Sequence, residues 1–112
     1  MRFGMGVPKL SKNPRRETRV PMEVGVHISG NPMLPGTETT FTENVSSKGA
    51  RVRSTRRWKV GDRLTIATMT GSFRSIARVA YCQATASAGF AIGLEFVDPA
   101  GQWVVADSMA MG

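Results

Sequence analysis

The sequence predicts an all-β domain, an antiparallel barrel or sandwich of about six short strands. Three observations carry that prediction. Apolar and polar residues alternate in several segments, the pattern of strands with one buried and one wet face. Gly- and Pro-bearing turns separate those segments at short intervals. The length of 112 residues fits one small domain, and a hydrophobic content of 41% is enough for one core. Closing such a sheet into a barrel removes the edge strands that invite aggregation.

Residues 1–14 are rich in Gly, Pro and Lys and have no apolar period, so they read as a flexible leader. Residues 15–107 make the domain and 108–112 a tail. The domain opens on a basic cluster, Arg15-Arg16-Glu17-Thr18-Arg19, directly before a strand. In that strand Val20, Met22, Val24, Val26 and Ile28 alternate with Pro21, Glu23, Gly25, His27 and Ser29, which predicts one inward row of five. Pro21 suits a strand start or an edge. Pro and Gly between Gly30 and Gly36 make a connecting loop. Thr37 to Glu43, rich in Thr and holding Phe41, is a second strand.

Asn44-Val45-Ser46-Ser47-Lys48-Gly49 follows. Asn44 and Ser46 are two apart, so on extended backbone their side chains share a face. Gly49 allows positive φ or close backbone approach. Taken by itself, the hexapeptide also suits an ordinary turn between strands. Ala50 and Val52 alternate with Arg51 and Arg53, a third strand with an arginine face. Ser54 to Lys59 is a basic loop holding Trp58, and Val60-Gly61-Asp62 is a turn. Arg63 to Thr68 is a strand with Leu64 and Ile66 inward, and Gly71 marks a hairpin. Ser72 to Cys82 is a long strand with Phe73, Ala77, Val79 and Tyr81 on one face. After a small-residue loop, Phe90, Ile92, Leu94 and Phe96 alternate with Ala91, Gly93, Glu95 and Val97. Asp98-Pro99 resembles a helix start, with Asp as N-cap and Pro at the first helical position. A short C-terminal helix from Pro99 to about Asp107, carrying Trp103 over the barrel mouth, is the expectation there.

Charge and composition bound the function. The chain carries 15 Lys+Arg against 8 Asp+Glu, a formal net charge of +7. That favours an anionic partner such as a nucleotide, a nucleic acid or an acidic surface, and it also suits a merely well-solvated protein. With Cys82 as the one cysteine, no internal disulfide can form. No apolar signal segment stands at the N-terminus, and the longest uncharged run, Val79 to Leu94, is too polar and too short to span a membrane. A cytoplasmic location is expected.

No enzymatic constellation emerges. His27 falls on a polar strand face without co-ligands and reads as a surface histidine, so no metal site is expected. Cys82 has no local His and reads as a packed small residue. Glu38 and Glu43 fall on opposite faces of their strand, which argues against paired acid–base work. There is no P-loop, dinucleotide-binding glycine fingerprint or nucleophile elbow. The arginines differ. Arg15 and Arg19 lie about 13 Å apart on extended backbone. Arginine presents a planar donor fork that takes phosphate or the O6/N7 edge of guanine bidentately. A solvated basic linker would look the same in isolation.

Arg15-x-x-x-Arg19 before the first strand, followed by Asn44-x-Ser46-x-x-Gly49, resembles the PilZ domain family. Gly49-Ala50-Arg51-Val52, the turn Val60-Gly61-Asp62 and Ile92-Gly93-Leu94-Glu95-Phe96-Val97 are similar to that family's pattern, from about Pro14 to Val97. The resemblance implies a six-stranded antiparallel β-barrel that binds cyclic di-GMP, a bacterial second messenger, with no cofactor. It implies that Arg15 and Arg19 contact phosphates and guanines, that Asn44 and Ser46 hydrogen-bond the ligand, and that Gly49 permits close approach. Asn44 stands where the family accepts Asp or Asn. Residue parity adds Arg51 and Arg53 as outward positive groups beside the site, and Arg16 as a third contact or a bystander. The expected mechanism is a switch in which the leader closes over the barrel face and changes what a protein partner meets.

Two other readings stay open: a PilZ-like adapter that leaves the ligand motif unused, and a small nucleic-acid-binding barrel. The second needs exposed aromatics as stacking platforms. Phe73, Tyr81, Phe90 and Phe96 follow the apolar parity and read as core, which leaves Trp58 as the aromatic to locate and makes nucleic acid a poor fit.

Overall fold

A computed structural model describes residues 18–30 and 36–105. They form seven strands: β1 (Val20–Pro21), β2 (Gly25–Ser29), β3 (Thr37–Ser46), β4 (Gly49–Ser54), β5 (Arg63–Thr68), β6 (Phe73–Ala84) and β7 (Phe90–Gly101). The sheet runs β1-β3-β2-β5-β6-β7-β4, and β4 pairs back onto β3. Six strands therefore close into an antiparallel barrel, and β1 continues along β3 beyond the end of β2. Between barrel and sandwich, the barrel is the outcome. The expected leader, residues 1–14, and the tail, 108–112, lie outside the described residues.

Alternation built most of the interior. Val26, Ala50, Val52, Ile66, Ala77, Val79 and Ile92 have no exposed surface, and Ile28, Leu64 and Leu94 are buried with them. The turns fall as the glycines predict: Gly61 and Gly71 have φ of 95° and 82°, in the region glycine enters without strain.

Three β-bulges override the alternation. The first lies in β3, where the register against β4 shifts between Thr42 and Asn44. Opposite it, the expected strand Val20–Ser29 is interrupted between Pro21 and Gly25. Fully buried Thr42 bridges that gap: its Oγ1 donates to the Met22 carbonyl at 2.7 Å and accepts from the Val24 amide at 2.9 Å. Val26 and Ile28 point inward as expected, but Val20 and Met22 are more than a third exposed. Met22 to Val24 face only Thr42 and Glu43 between the two paired stretches, and this extra residue ends the inward row of five.

The second bulge lies in β6 between Val79 and Tyr81. It reverses the facing of the strand's end, so Cys82 packs against the core and Tyr81 lies outside. The expectation of an inward Tyr81 is corrected on that ground. The third lies between Ile76 and Ala77, opposite Val97.

The expected C-terminal helix is also corrected. Asp98 to Gly101 stay in β7 and pair with Phe73 to Ile76. Past Glu95, β7 has lost β4 as a neighbour and is an edge on that side, where a proline without an N–H is tolerated. Trp103 still closes this end of the barrel, from irregular backbone. Its ring packs on Phe73 and Phe96 at centroid distances of 4.8 and 5.0 Å, and its Nε1 donates to the Ser46 carbonyl at 2.8 Å. Trp58 is buried as well, and its indole N–H donates to Ser54 Oγ at 3.1 Å.

Candidate functional site

The β3–β4 hairpin carries the hexapeptide. Only Ser47 and Lys48 are turn; Asn44 to Ser46 end β3, and Gly49 begins β4. Ser46 pairs with Gly49, and Ser46 Oγ accepts the Lys48 amide at 3.3 Å. Gly49 faces β7 at close range. A Cβ there would overlap the Leu94 carbonyl oxygen and lie 3.2 Å from its carbon. The same crossing is tied by the Phe96 amide, which donates to the Lys48 carbonyl at 2.9 Å. The barrel itself therefore requires a residue without a side chain at 49.

Asn44 and Ser46 differ in access. Ser46 is wholly buried, whereas Asn44 is half-buried at the outer surface. Arg19 reaches Asn44: its Nη1 donates to Asn44 Oδ1 at 3.0 Å, across 25 residues of sequence. The pairing of Val20 with Val45 and Pro21 with Asn44 delivers the arginine there. Arg15 and Arg16 lie outside the described residues.

Arg51 stands directly opposite Asn44 in the β3–β4 register. The β3 bulge makes Glu43 the extra residue, so Glu43 and Asn44 lie side by side before this pair. The Glu43 carboxylate accepts Arg51 Nε at 2.7 Å on one oxygen and Arg53 Nη1 at 3.2 Å on the other. Arg51 Nη1 also donates to the Tyr81 hydroxyl at 3.1 Å and to Gln83 Oε1 at 3.0 Å. Arg53 Nη2 donates to Ser87 Oγ at 3.2 Å. The Tyr81 ring fills the space above Gly93, where a Cβ would run into it.

The Glu43 carboxylate first, and the Tyr81 hydroxyl second, raise the pKa of Arg51 above its ordinary value, against a smaller opposing effect of burial. Both members of the Arg51–Glu43 pair are about one-third exposed, with side-chain exposures of 29% and 32%. Such pairs contribute about 0–1 kcal/mol. Their main effect is to orient two guanidinium forks, which can then meet an anion with little further ordering.

Among the sequence-expected residues, the structure brings together Arg19, Asn44, Arg51 and Arg53. It sets Ser46 and Gly49 beside them as the paired strand ends that flank the turn. Sequence reasoning missed Glu43, Tyr81 and Gln83 as members of the cluster. Gly93 was the available signal: a glycine inside a strictly alternating strand marks close approach by another group.

Among the described residues no three of His, Cys, Asp and Glu are placed to hold a metal ion, and no helix is long and apolar enough to cross a membrane. Glu38 serves the loop instead, accepting from Ser54 Oγ at 2.8 Å and the Thr55 amide at 2.7 Å.

Comparison with known proteins agrees with this architecture. Comparison with the curated proteins gave no match. Among solved structures the barrel is similar to the Bacillus subtilis inhibitor of motility MotI/DgrA, with a TM-score of 0.64 and 17% identity over 80% of this chain. The match spans 44% of that protein's chain, and at this identity it speaks for the fold. The PilZ domain model matches residues 11–102, most of the sequence. The chain belongs to the PilZ domain family, a family of cyclic di-GMP receptors.

Proposed function

We propose that this protein is itself a cyclic di-GMP receptor, holding the nucleotide between Arg15-x-x-x-Arg19 and the barrel face around Asn44 to Gly49. The observation that carries the reading is the Arg19–Asn44 hydrogen bond at 3.0 Å, because it joins the two halves of the motif. The chemistry fits. Cyclic di-GMP has two phosphodiester anions and two guanines, and arginine forks take both phosphate and the guanine O6/N7 edge. A net charge of +7 adds long-range attraction.

Arg15 and Arg19 supply one jaw, with Arg16 beside them, and Asn44 the other. Ser46, wholly buried, acts by holding the turn beneath Asn44 through its hydrogen bond with the Lys48 amide. Gly49 lets β4 and β7 approach so that this turn sits flush on the barrel. Binding then joins the arginine segment and the barrel face through one ligand and alters the surface offered to a protein partner. A micromolar ligand supplies about 8 kcal/mol, from which the conformational freedom lost on binding is subtracted. The reading carries a bacterial, cytoplasmic setting with it. Buried Trp58 offers no stacking platform for a nucleic acid.

Isothermal titration with cyclic di-GMP at low salt tests the proposal. Saturable binding is expected, weakened at least tenfold by Arg19→Ala and by Asn44→Ala, and also weakened by Ser46→Ala. Absence of binding by the wild type rejects the receptor reading. Unchanged affinity in Arg19→Ala rejects the clamp. A partner captured equally with and without the nucleotide would instead support an adapter.

A further inference from the structure

We propose that Arg51 and Arg53 form a phosphate subsite that the Glu43 carboxylate occupies as an internal anion, and that a nucleotide phosphate takes by displacing it. The inference deepens the receptor reading and rests on it for the identity of the nucleotide; the anion chemistry stands on the cluster itself.

Four observations support it. The carboxylate bridges the two guanidinium groups, one oxygen to each, at 2.7 and 3.2 Å. Phosphate oxygens present the same acceptor geometry to an arginine fork and can carry more charge. Second, the Glu43 pairs are partly exposed and so contribute little net stability, which makes them exchangeable. Third, both arginines have neutral anchors that remain when Glu43 leaves: Tyr81 and Gln83 for Arg51, and Ser87 for Arg53. The forks stay aimed during the exchange. Arginines that only improved solubility would need no such anchors. Fourth, Glu43 is the bulge residue with no partner in the β3–β4 register, so its side chain can swing away without breaking that ladder.

The subsite also adjoins the motif, since Arg51 is the cross-strand neighbour of Asn44. A carboxylate placed permanently beside a bound dianion would oppose binding. One that leaves the arginines when the phosphate arrives turns that opposition into a threshold, lowering affinity for weak anions.

The test uses the full chain and two probes, inorganic pyrophosphate and cyclic di-GMP. NMR follows the arginine Nε–H resonances while calorimetry gives affinities. In the wild type, pyrophosphate should shift Arg51 and Arg53 and leave Arg63 and Arg74, on β5 and β6, unmoved. Glu43→Gln keeps the side-chain shape and removes the charge; it should tighten pyrophosphate at least fivefold, and cyclic di-GMP in the same direction. Equal or weaker pyrophosphate binding by folded Glu43→Gln overturns the internal-anion role. Equal shifts at Arg63 and Arg74 overturn the subsite, and this wild-type measurement decides even if the variant does not fold. If pyrophosphate behaves as expected and cyclic di-GMP does not bind, the receptor reading fails while the subsite stands.

Discussion

Replacing Gly49 by alanine separates two explanations of a glycine that stands in a ligand motif. If the ligand needs the space, the variant should fold normally and bind poorly. The structure assigns the space to the barrel instead. The added methyl carbon would overlap the Leu94 carbonyl oxygen and come within 3.2 Å of its carbon and 3.5 Å of Glu95 Cα. These are backbone atoms, so no side chain can rotate away. Relief requires β4 and β7 to separate, against an ordinary non-bonded spacing of about 3.5–4.0 Å. Their register runs from Gly49–Glu95 to Ser54–Phe90, and the strain falls at its first pair. Overpacking of this kind costs about 1–3 kcal/mol, and the upper end applies where only backbone can yield. For a domain near 100 residues, about 3 kcal/mol lowers Tm by roughly 12–24 °C. Thermal unfolding followed by circular dichroism measures it. Cyclic di-GMP affinity, measured well below the transition, should fall much less than in Arg19→Ala. A variant that melts with the wild type but loses the nucleotide would refute the assignment and return Gly49 to the ligand.

Substitutions at two further residues probe the irregular stretches. Thr42→Val keeps the shape but strips partners from the Met22 carbonyl and the Val24 amide, so it should cost about 2–4 kcal/mol in urea unfolding, with Thr42→Ser recovering most of it. Tyr81→Phe keeps the ring over Gly93 and removes one anchor of Arg51, so stability should change by less than about 1 kcal/mol. In the same variant pyrophosphate affinity should fall two- to fivefold, read by calorimetry.

What the sequence made legible follows from which signals are local. Alternation in Ala50–Arg53 and Arg63–Thr68 depends on nothing beyond the strand itself, and the buried faces there are the expected ones, as they are at Ile92 and Leu94; Phe90, expected in the core, is only partly buried beneath Arg57, and Ala91 on the opposite face is fully buried. A bulge depends on the partner strand, and its extra residue looks like any other. Parity counted through Val79 therefore placed Tyr81 inside, and parity counted from Val20 placed Met22 inside. Asp98-Pro99 failed for a related reason. Asp followed by Pro does open helices, but the same pair fits an edge strand, and whether β7 is an edge past Glu95 is a property of the sheet. Trp103 was legible as a lid because a large apolar ring must be covered, whichever backbone carries it.

Two of the three irregularities that break the alternation also assemble the candidate site. Without the β3 bulge, strict alternation would put Glu43 and Asn44 on opposite faces of the sheet. With it, they adjoin, so the groups that meet Arg19 and the arginine pair share one patch. Without the β6 bulge, Tyr81 would enter the core, and Arg51 would lose both the hydroxyl and the ring, whose centroid lies 5.6 Å from its guanidinium carbon. Glu43, Asn44 and Tyr81 thus meet Arg19, Arg51 and Arg53 on one face because of two added residues. Bulges cost ladder hydrogen bonds, and here the interruption between β1 and β2 that faces the β3 bulge is bridged by Thr42. The repair stabilises the barrel, and for the site it does more. Its value lies in aiming Asn44, Glu43 and Arg51 at the same point, which is why Thr42, buried beneath the site, bears on binding as well as on stability.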